Sequence, residues 1–314
     1  MSAFKLFKKK MKLVWKDAQL PTPDTRALEL IRAFKGAFRL LEDEHFLNQP
    51  NNEWEENLRV LRSLCLSRDP RNFMHWEVIQ KTMFTGDLDY LEKEHLYLQK
   101  SSRWDAIWKH ALPERPIGLP ISSKLFPGSS GNRVHHAYHL ERFLEASSSD
   151  VQQFDGIIEF GGGYGNLCQL ALQHLDYRGK YCIFDFPEFN HIQSFYLESL
   201  GLETEVLQER PECSRQILIM HQIEHLKEQI SKFKNPLFIA TWSISETSLS
   251  FRESFASCLA PFKNFLFAYQ DTFENVDNHK YFSSLMEQCP DTDWSPQSIE
   301  HLNGSQYLFG TSKS

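Results

Sequence analysis

The sequence predicts an α/β fold: a doubly wound, mainly parallel sheet in residues 131–314, preceded by an α-helical N-terminal region in residues 1–130. Three observations carry the prediction. From Ala27 to Trp108 apolar residues recur at helical spacing with no strand alternation. From Gly156 onward short apolar runs alternate with helical stretches, as in parallel strands joined by crossovers. Between the first run and its helix lies a glycine loop, Gly161-Gly162-Gly163-Tyr164-Gly165, where ligands bind in such folds.

In the first region Thr22 and Pro23 read as an N-cap and first turn. Behind them Ala27, Leu30, Ile31, Phe34, Phe38 and Leu41 make an apolar stripe. A second helix carries Trp54, Leu58, Leu61 and Cys65 and stops near Asp69-Pro70. A third runs from Pro70 to about Thr85, before Gly86. A fourth carries Leu88, Leu91, Leu98, Trp104, Ile107 and Trp108 and ends before Pro113. There is no internal repeat, and the aromatic stripes read as core. This region is expected to act as a cap, a lid or a dimerisation surface.

Residues 113–132, PERPIGLPISSKLFPGSSGN, form a loop by turn chemistry, either a lid or a linker. A helix over 133–147 follows. At 100° per residue Arg133, His136, Ala137, Leu140 and Leu144 share its inward face. His135 points the opposite way and His139 to the side. Arg133 is either a substrate-binding or a snorkelling arginine. His135 and His139 have the spacing of a helical metal pair, but no third ligand accompanies them, so no metal is expected.

Gly156–Phe160, Lys180–Asp185, Ile217–Met220, Leu237–Thr241, Asn264–Tyr269 and Tyr307–Gly310 are the strand candidates. Right-handed crossovers place ligands at their carboxyl ends. With 41% hydrophobic and 24% charged residues in 314, the chain reads as soluble and globular. No apolar run approaches the ~18–20 residues of a membrane span. Six scattered cysteines without a CxxC point to reduced thiols, a cytoplasmic protein and no cysteine zinc site. The net charge is −7, yet six lysines and no acid fall within residues 1–16, so the remainder is nearly twice as acidic as the whole. Such a body argues against nucleic acid as partner. The basic start, interleaved with Phe4, Leu6, Phe7 and Met11, reads either as a peripheral contact with the inner face of an anionic membrane or as a solvated terminus.

The chemical centre is Glu159-Phe160-Gly161-Gly162-Gly163-Tyr164-Gly165-Asn166. Glycines permit a sharp strand-to-helix turn and close approach of a ligand to the backbone. The helix beginning near Gly165 would offer N–H groups to a carboxylate or phosphate. Asp185, 22 residues beyond Gly163 at the end of the next strand, stands where an acid accepts both hydroxyls of a ribose. The dinucleotide pattern GxGxxG fails at its third position, where Asn166 or Cys168 stands. The pattern is instead ExGxGxG.

That pattern resembles motif I of the class I S-adenosylmethionine-dependent methyltransferases. The stretches IIEFGGGYGN, FDFPEFNHIQSFYL, FIATWSISET and HLNGSQYLFG together resemble the sugar O-methyltransferases of bacterial surface-polysaccharide loci, over residues 130–314. The resemblance implies a Rossmann-like seven-stranded sheet and S-adenosylmethionine as cofactor. It implies that Glu159 helps hold the methionine end, that Gly161, Gly163 and Gly165 pass beneath it, and that Asp185 binds the ribose. It implies a sugar or glycan acceptor carried on a nucleotide, a lipid or a finished glycan.

Methyl transfer to a hydroxyl needs a general base within reach. His136 is the candidate by chemical type. Glu246 is the alternative, although Ser243 to Glu246 also fits a capping box. Tyr164 is expected to lean over the methionine part, and Asn166 to begin the helix. His221 and Gln222 are expected to flank the adenine. Trp242 suits stacking on a sugar, and Gln270, Asp271 and Asn278 suit binding its hydroxyls; core packing, caps and solvent-facing loops are the competing readings. Two other classes stay open: a non-catalytic cofactor-binding scaffold in a glycan-biosynthetic complex, and an NAD(P)-dependent enzyme. A homo-oligomer built on the helical half is compatible with the sequence.

Overall fold

The computed structural model describes residues 17, 20–41, 52–83, 90–207 and 214–313. The basic start of the chain, with its expected membrane contact, and the helix end expected at Gly86 lie outside them.

The first region is helical in shorter pieces than its periodicity predicts. Helix α1 (Thr25–Leu40) is capped by Asp24, whose carboxylate accepts from Ala27 N at 2.8 Å. It therefore starts two residues later than a Thr22 cap would set. Helix α2 (Asn52–Ser67) ends before Asp69, which caps a 3-10 turn, Pro70–His75. The helix expected over 70–85 is thereby split. Trp76 is extended, with its indole N–H on Asn72 Oδ1, and α3 (Glu77–Met83) begins after it. Helix α4 (Tyr90–Lys100) is followed by a π-helical turn, Trp104–Trp108, running into Lys109–Ala111. The break falls at Ser101, whose hydroxyl caps Arg103 N and reaches Glu141.

After the loop, α5 (Gly131–Ser147) starts where Ser130 accepts from Arg133 N. From there the chain alternates as expected. The elements are β1 (Gly156–Phe160), α6 (Asn166–Gln169, continued by a π-helical segment to His174), β2 (Lys180–Phe184), α7 (Pro187–Ser199), β3 (Thr204–Val206) and β4 (Ile217–Met220). They continue with α8 (Ile223–Ile230), β5 (Leu237–Thr241), α9 (Leu249–Leu259) and β6 (Asn264–Gln270). A small hairpin, β7 (Thr272–Phe273) and β8 (Val276–Asp277), precedes α10 (Asn278–Gln288), β9 (Thr292–Ser298) and β10 (Ser305–Ser312).

The main sheet runs β3-β4-β2-β1-β5-β6-β10-β9. All its pairings are parallel except those of β10 with β6 and β9. The fold is a doubly wound, mainly parallel Rossmann-like sheet, with eight strands among the described residues rather than seven. β3 and β9 escape the sequence pattern because both are edges. One is three half-buried residues; the other carries polar residues and Pro296, which an edge tolerates.

Alternation sorts the strands cleanly. Ile157, Tyr181, Ile183, Ile219, Ile239 and Tyr307 face one core. Ile158, Cys182, Leu218, Phe238, Phe267 and Leu308 face the other, under α8, α9 and α10. Phe34, Leu58, Trp76, Leu91 and Trp108 of the first region share the former core. Phe34 lies 5.3 Å from Phe195 of α7, ring to ring. The N-terminal helices thus form an outer layer over α5 and α7. α5 is consequently buried all round, with Arg133, His135, His139 and Glu141 as well as its apolar residues inside. Among the described residues no helix is long and apolar enough to cross a membrane.

Candidate functional site

The sheet reverses winding direction at β1, and a cavity of about 870 Å³ opens at the carboxyl ends there. Its floor comes from the residues following β1, β2, β4 and β5: Glu159–Tyr164, Phe184–Pro187, His221 and Thr241–Ser243. Its roof comes from α3, Tyr90 and the β7–β8 hairpin, and one side from the histidines of α5.

Two positions explain the glycine loop. Gly161 has φ +72, and a Cβ there would lie 2.3 Å from Ser243 Cβ. Ser243 donates its hydroxyl to Phe160 O, so the loops after β1 and β5 touch. Gly163 has φ +57, and its N–H reaches Asp185 Oδ2 at 3.1 Å. Asp185 also accepts from Phe186 N and from Gln193 Nε2, both at 2.8 Å. Burial pushes its carboxyl up to about 7 despite those three donors. Glu159 accepts from Tyr181 O–H at 2.8 Å. Burial, reinforced by the nearby Asp185, lifts its carboxyl to about 8. Two acids in one cavity wall thus hold fewer donors than their charges require.

Three of the other expected cofactor contacts, Gly165, Asn166 and Gln222, fall elsewhere. Gly165 packs on Leu197, and Asn166 is fully buried behind the loop. Neither lines the cavity. The helix after the loop has four α-helical residues before it widens, too short for a helix-terminus anion site. Tyr164 reaches the cavity wall, but its ring is buried against Phe73 and Tyr196. His221 lines the cavity; Gln222 sits at the N-cap of α8, outside the wall.

The acceptor side needs larger corrections. Arg133 neither snorkels nor faces the cavity. It is fully buried and donates to Ala111 O, Asn166 Oδ1, Gln169 Oε1 and His174 Nε2, over 2.7–3.0 Å. It is a structural tie between α5 and α6. His136 does line the cavity, but its Nδ1 receives the Asn166 amide at 2.9 Å. Arg133 occupies the Asn166 oxygen, so the amide cannot turn round. Neutral His136 therefore carries its proton on Nε2 and offers a donor, not a base. Burial, with His135 and Arg133 nearby, pushes its pKa down to about 3.

Gln270, Asp271 and Asn278 lie outside the cavity wall. Asn278 is fully buried, accepting from Arg252 Nη1 at 2.7 Å and donating to Gln270 O at 2.8 Å. Arg252 also donates to Ser245 O and Thr247 O. This knot joins the loops after β5 and β6. Asp271 is engaged by His279 and Gln306, and the Gln270 side chain by Ser245. Glu246 and Trp242 do line the cavity. The capping box around Glu246 is not formed: Ser243 turns to Phe160, and Ser248 caps α9. Trp242 has φ +66, a strained conformation for a tryptophan.

Sequence reasoning missed four groups. His135 and His139 line the cavity, although a helical wheel turns His135 outward. A wheel assumes one solvent face, and α5 has none. Glu94, fully buried on α4, accepts from His135 Nδ1 at 2.8 Å and from His301 Nε2 at 2.8 Å. Burial alone would raise its carboxyl, but the two imidazoles more than offset this and hold it below its usual value. His139 Nδ1 meets Tyr307 Oη at 2.5 Å; burial and the neighbouring imidazoles push its pKa well below the usual value. The run His135-His136-x-x-His139 was the available signal; Glu94 and His301 are too far away in sequence to be paired with it. Among the described residues, no group of three or more His, Cys, Asp or Glu is arranged to hold a metal.

No protein-family model and no curated protein matches the chain. Solved structures align with it at low identity. The methyltransferase domain of bacterial CtHen1-CN aligns at 12% identity over 55% of this chain and 95% of that one, with a TM-score of 0.40. The precorrin-6y C5,15-methyltransferase from Geobacter metallireducens GS-15 aligns at 10% identity over 62% and 93%, with a TM-score of 0.38. The 16S rRNA methylase ArmA aligns at 11% identity over 71% and 96%, with a TM-score of 0.34. Similarity this distant carries no information about what the present chain binds.

Proposed function

We propose that this chain is an S-adenosylmethionine-dependent O-methyltransferase whose acceptor is a sugar hydroxyl of a glycan under synthesis. The observation that carries the reading is the convergence of Glu159, the Gly161–Gly163 backbone and Asp185 on one end of the cavity. Burial holds both acids above their usual range, so a ligand bringing hydroxyl and ammonium donors suits them. Asp185 would accept from the ribose hydroxyls and Glu159 would face the ammonium of the methionine end. Gly163, whose Cβ position has only Met83 nearby, would let a ligand lie against the backbone. When bound, the cofactor supplies a methyl group on a sulfonium, already reactive.

The chain's own residues do the rest. The roof of α3 and the β7–β8 hairpin would limit water. Trp242 and the α5 histidines offer an apolar ring and polar imidazoles, a wall suited to a polyhydroxylated acceptor. The net charge of −7 disfavours a polyanionic one. The sugar class itself is supported by the sequence resemblance.

Calorimetric titration tests the reading, with S-adenosylhomocysteine in one cell and NAD in another. Micromolar binding of the former, lost in Gly163→Val, is expected. Binding of NAD alone, or of neither, overturns it. Transfer of labelled methyl to a panel of nucleotide sugars, but not to RNA, is the expected second result.

A further inference from the structure

We infer that Glu94 and His135 form a carboxylate–imidazole pair that takes the proton from the acceptor hydroxyl. The inference rests on the methyl-transfer reading above. Three histidines of α5 line the cavity, and their hydrogen bonds separate their roles. An ionised carboxylate only accepts, so the ring nitrogen facing Glu94 carries a proton. Both carboxylate oxygens lie within reach of His135 Nδ1, at 2.8 and 3.0 Å. Neutral His135 therefore keeps its lone pair on Nε2, which has no hydrogen-bond partner among the described residues. The ring is 10% exposed and lines the cavity. Its neighbours are His139 at 4.1 Å and Trp242 at 5.6 Å between ring centroids.

The other two imidazoles lack this arrangement. The lone pair of His136 is spent on Asn166, and among the described residues no carboxylate touches His139, whose Nδ1 meets Tyr307. A base that accepts a proton becomes a cation, and in a buried site that cation needs a counter-charge. Only His135 has one. The hydroxyl proton goes to His135 Nε2 as the oxygen bonds to the methyl carbon. The carbon–sulfur bond breaks with its electrons left on sulfur, and the positive charge passes to an imidazolium paired with Glu94. His301, in the turn between β9 and β10, donates from Nε2 to the same Glu94 oxygen at 2.8 Å and acts as a positioning residue.

The test uses the full chain, 15N-labelled at histidine and saturated with S-adenosylhomocysteine. Long-range 1H–15N spectra at pH 8 are expected to show His135 protonated on Nδ1 and His136 protonated on Nε2. In His135→Ala, methyl transfer to the nucleotide-sugar panel is expected to fall ~10²–10⁴-fold, in the range of general-base loss, with unchanged S-adenosylhomocysteine affinity and partial rescue by added imidazole. Glu94→Gln should lower turnover in the same direction without weakening that affinity. A proton on Nε2 of His135, or a His135→Ala chain that keeps wild-type turnover, overturns the pair and leaves the methyl-transfer reading standing. If no acceptor in the panel turns over, or His135→Ala does not fold, the wild-type tautomer decides. A wild-type chain that binds no S-adenosylhomocysteine defeats the reading and the pair together.

Discussion

The side-chain amide of Asn166 donates to Nδ1 of His136 across 2.9 Å, and that contact decides what the imidazole can do. Arg133 holds the amide in place by occupying its oxygen. Asn166→Asp replaces the donor with a carboxylate while leaving Arg133 a partner. The His136 proton should then move to Nδ1, and its pKa should climb from about 3 by roughly 1–3 pH units, as beside a new opposite charge. A 15N NMR titration reads both changes; a proton that stays on Nε2 would refute the control of His136 by Asn166.

Asp185 sets a second expectation, with opposite signs for stability and binding. Its folded carboxyl titrates at about 7, above the ~3.9 of an unfolded aspartate. A raised carboxyl contributes fully below the unfolded value, and its contribution is lost as pH climbs toward the folded one. Asp185→Asn mimics the protonated form. The variant should match wild type near pH 4 and exceed it by at least ~1 kcal/mol at pH 8, one pKa unit being ~1.4 kcal/mol. It should also bind S-adenosylhomocysteine at least about tenfold more weakly, since a lost charged hydrogen bond is worth ~1.5–3 kcal/mol. Thermal melts at the two pH values, with one titration, check this.

Trp242 sits at φ +66, where a side chain costs roughly 1–2 kcal/mol that glycine escapes. Trp242→Gly should therefore melt higher than Trp242→Ala, the reverse of the usual order. Both should lose turnover, because both remove the indole from the cavity wall. Paired melts decide it; an alanine variant at least as stable as the glycine one would argue against strain.

Asn278 lies in the Arg252 knot, not at the acceptor. Asn278→Ala leaves a buried guanidinium donor without its partner, a loss of roughly 1–3 kcal/mol. The affinity for S-adenosylhomocysteine should not move. Denaturant unfolding measures the first quantity and calorimetry the second. A weakened cofactor site with unchanged stability would return Asn278 to the binding machinery.

Much of the fold was legible because its signals are local. The runs IIEF, YCIF, LIM, LFIA and FLFAY are apolar on both faces of the strand, as a covered parallel sheet demands. Glycines at 161 and 163 mark a turn whose positive φ values disfavour side chains, and at 161 the close approach of Ser243 excludes one. Where the periodicity misled, a tertiary contact intervened. Asn72 and Trp76 break a helix that the pattern continues, and Ser101 bonds Glu141 where the pattern runs on. The edge strands β3 and β9 carry little apolar signal because an edge has less to bury.

What the sequence by itself determined is the architecture of the second half, the position of the glycine loop and the acid that follows it, because each depends on spacing along one stretch of chain. What only the tertiary structure decided is the hydrogen bonding of the polar residues on α5. Whether a histidine on α5 is donor, base or filler depends on its hydrogen-bonding partner. Those partners come from 30 residues away for His136, 41 for His135 and 168 for His139. A helical wheel sees one helix and assumes water on one side. Here α4, the C-terminal strand and the loop after β5 surround α5, so its polar residues answer to neighbours rather than to solvent.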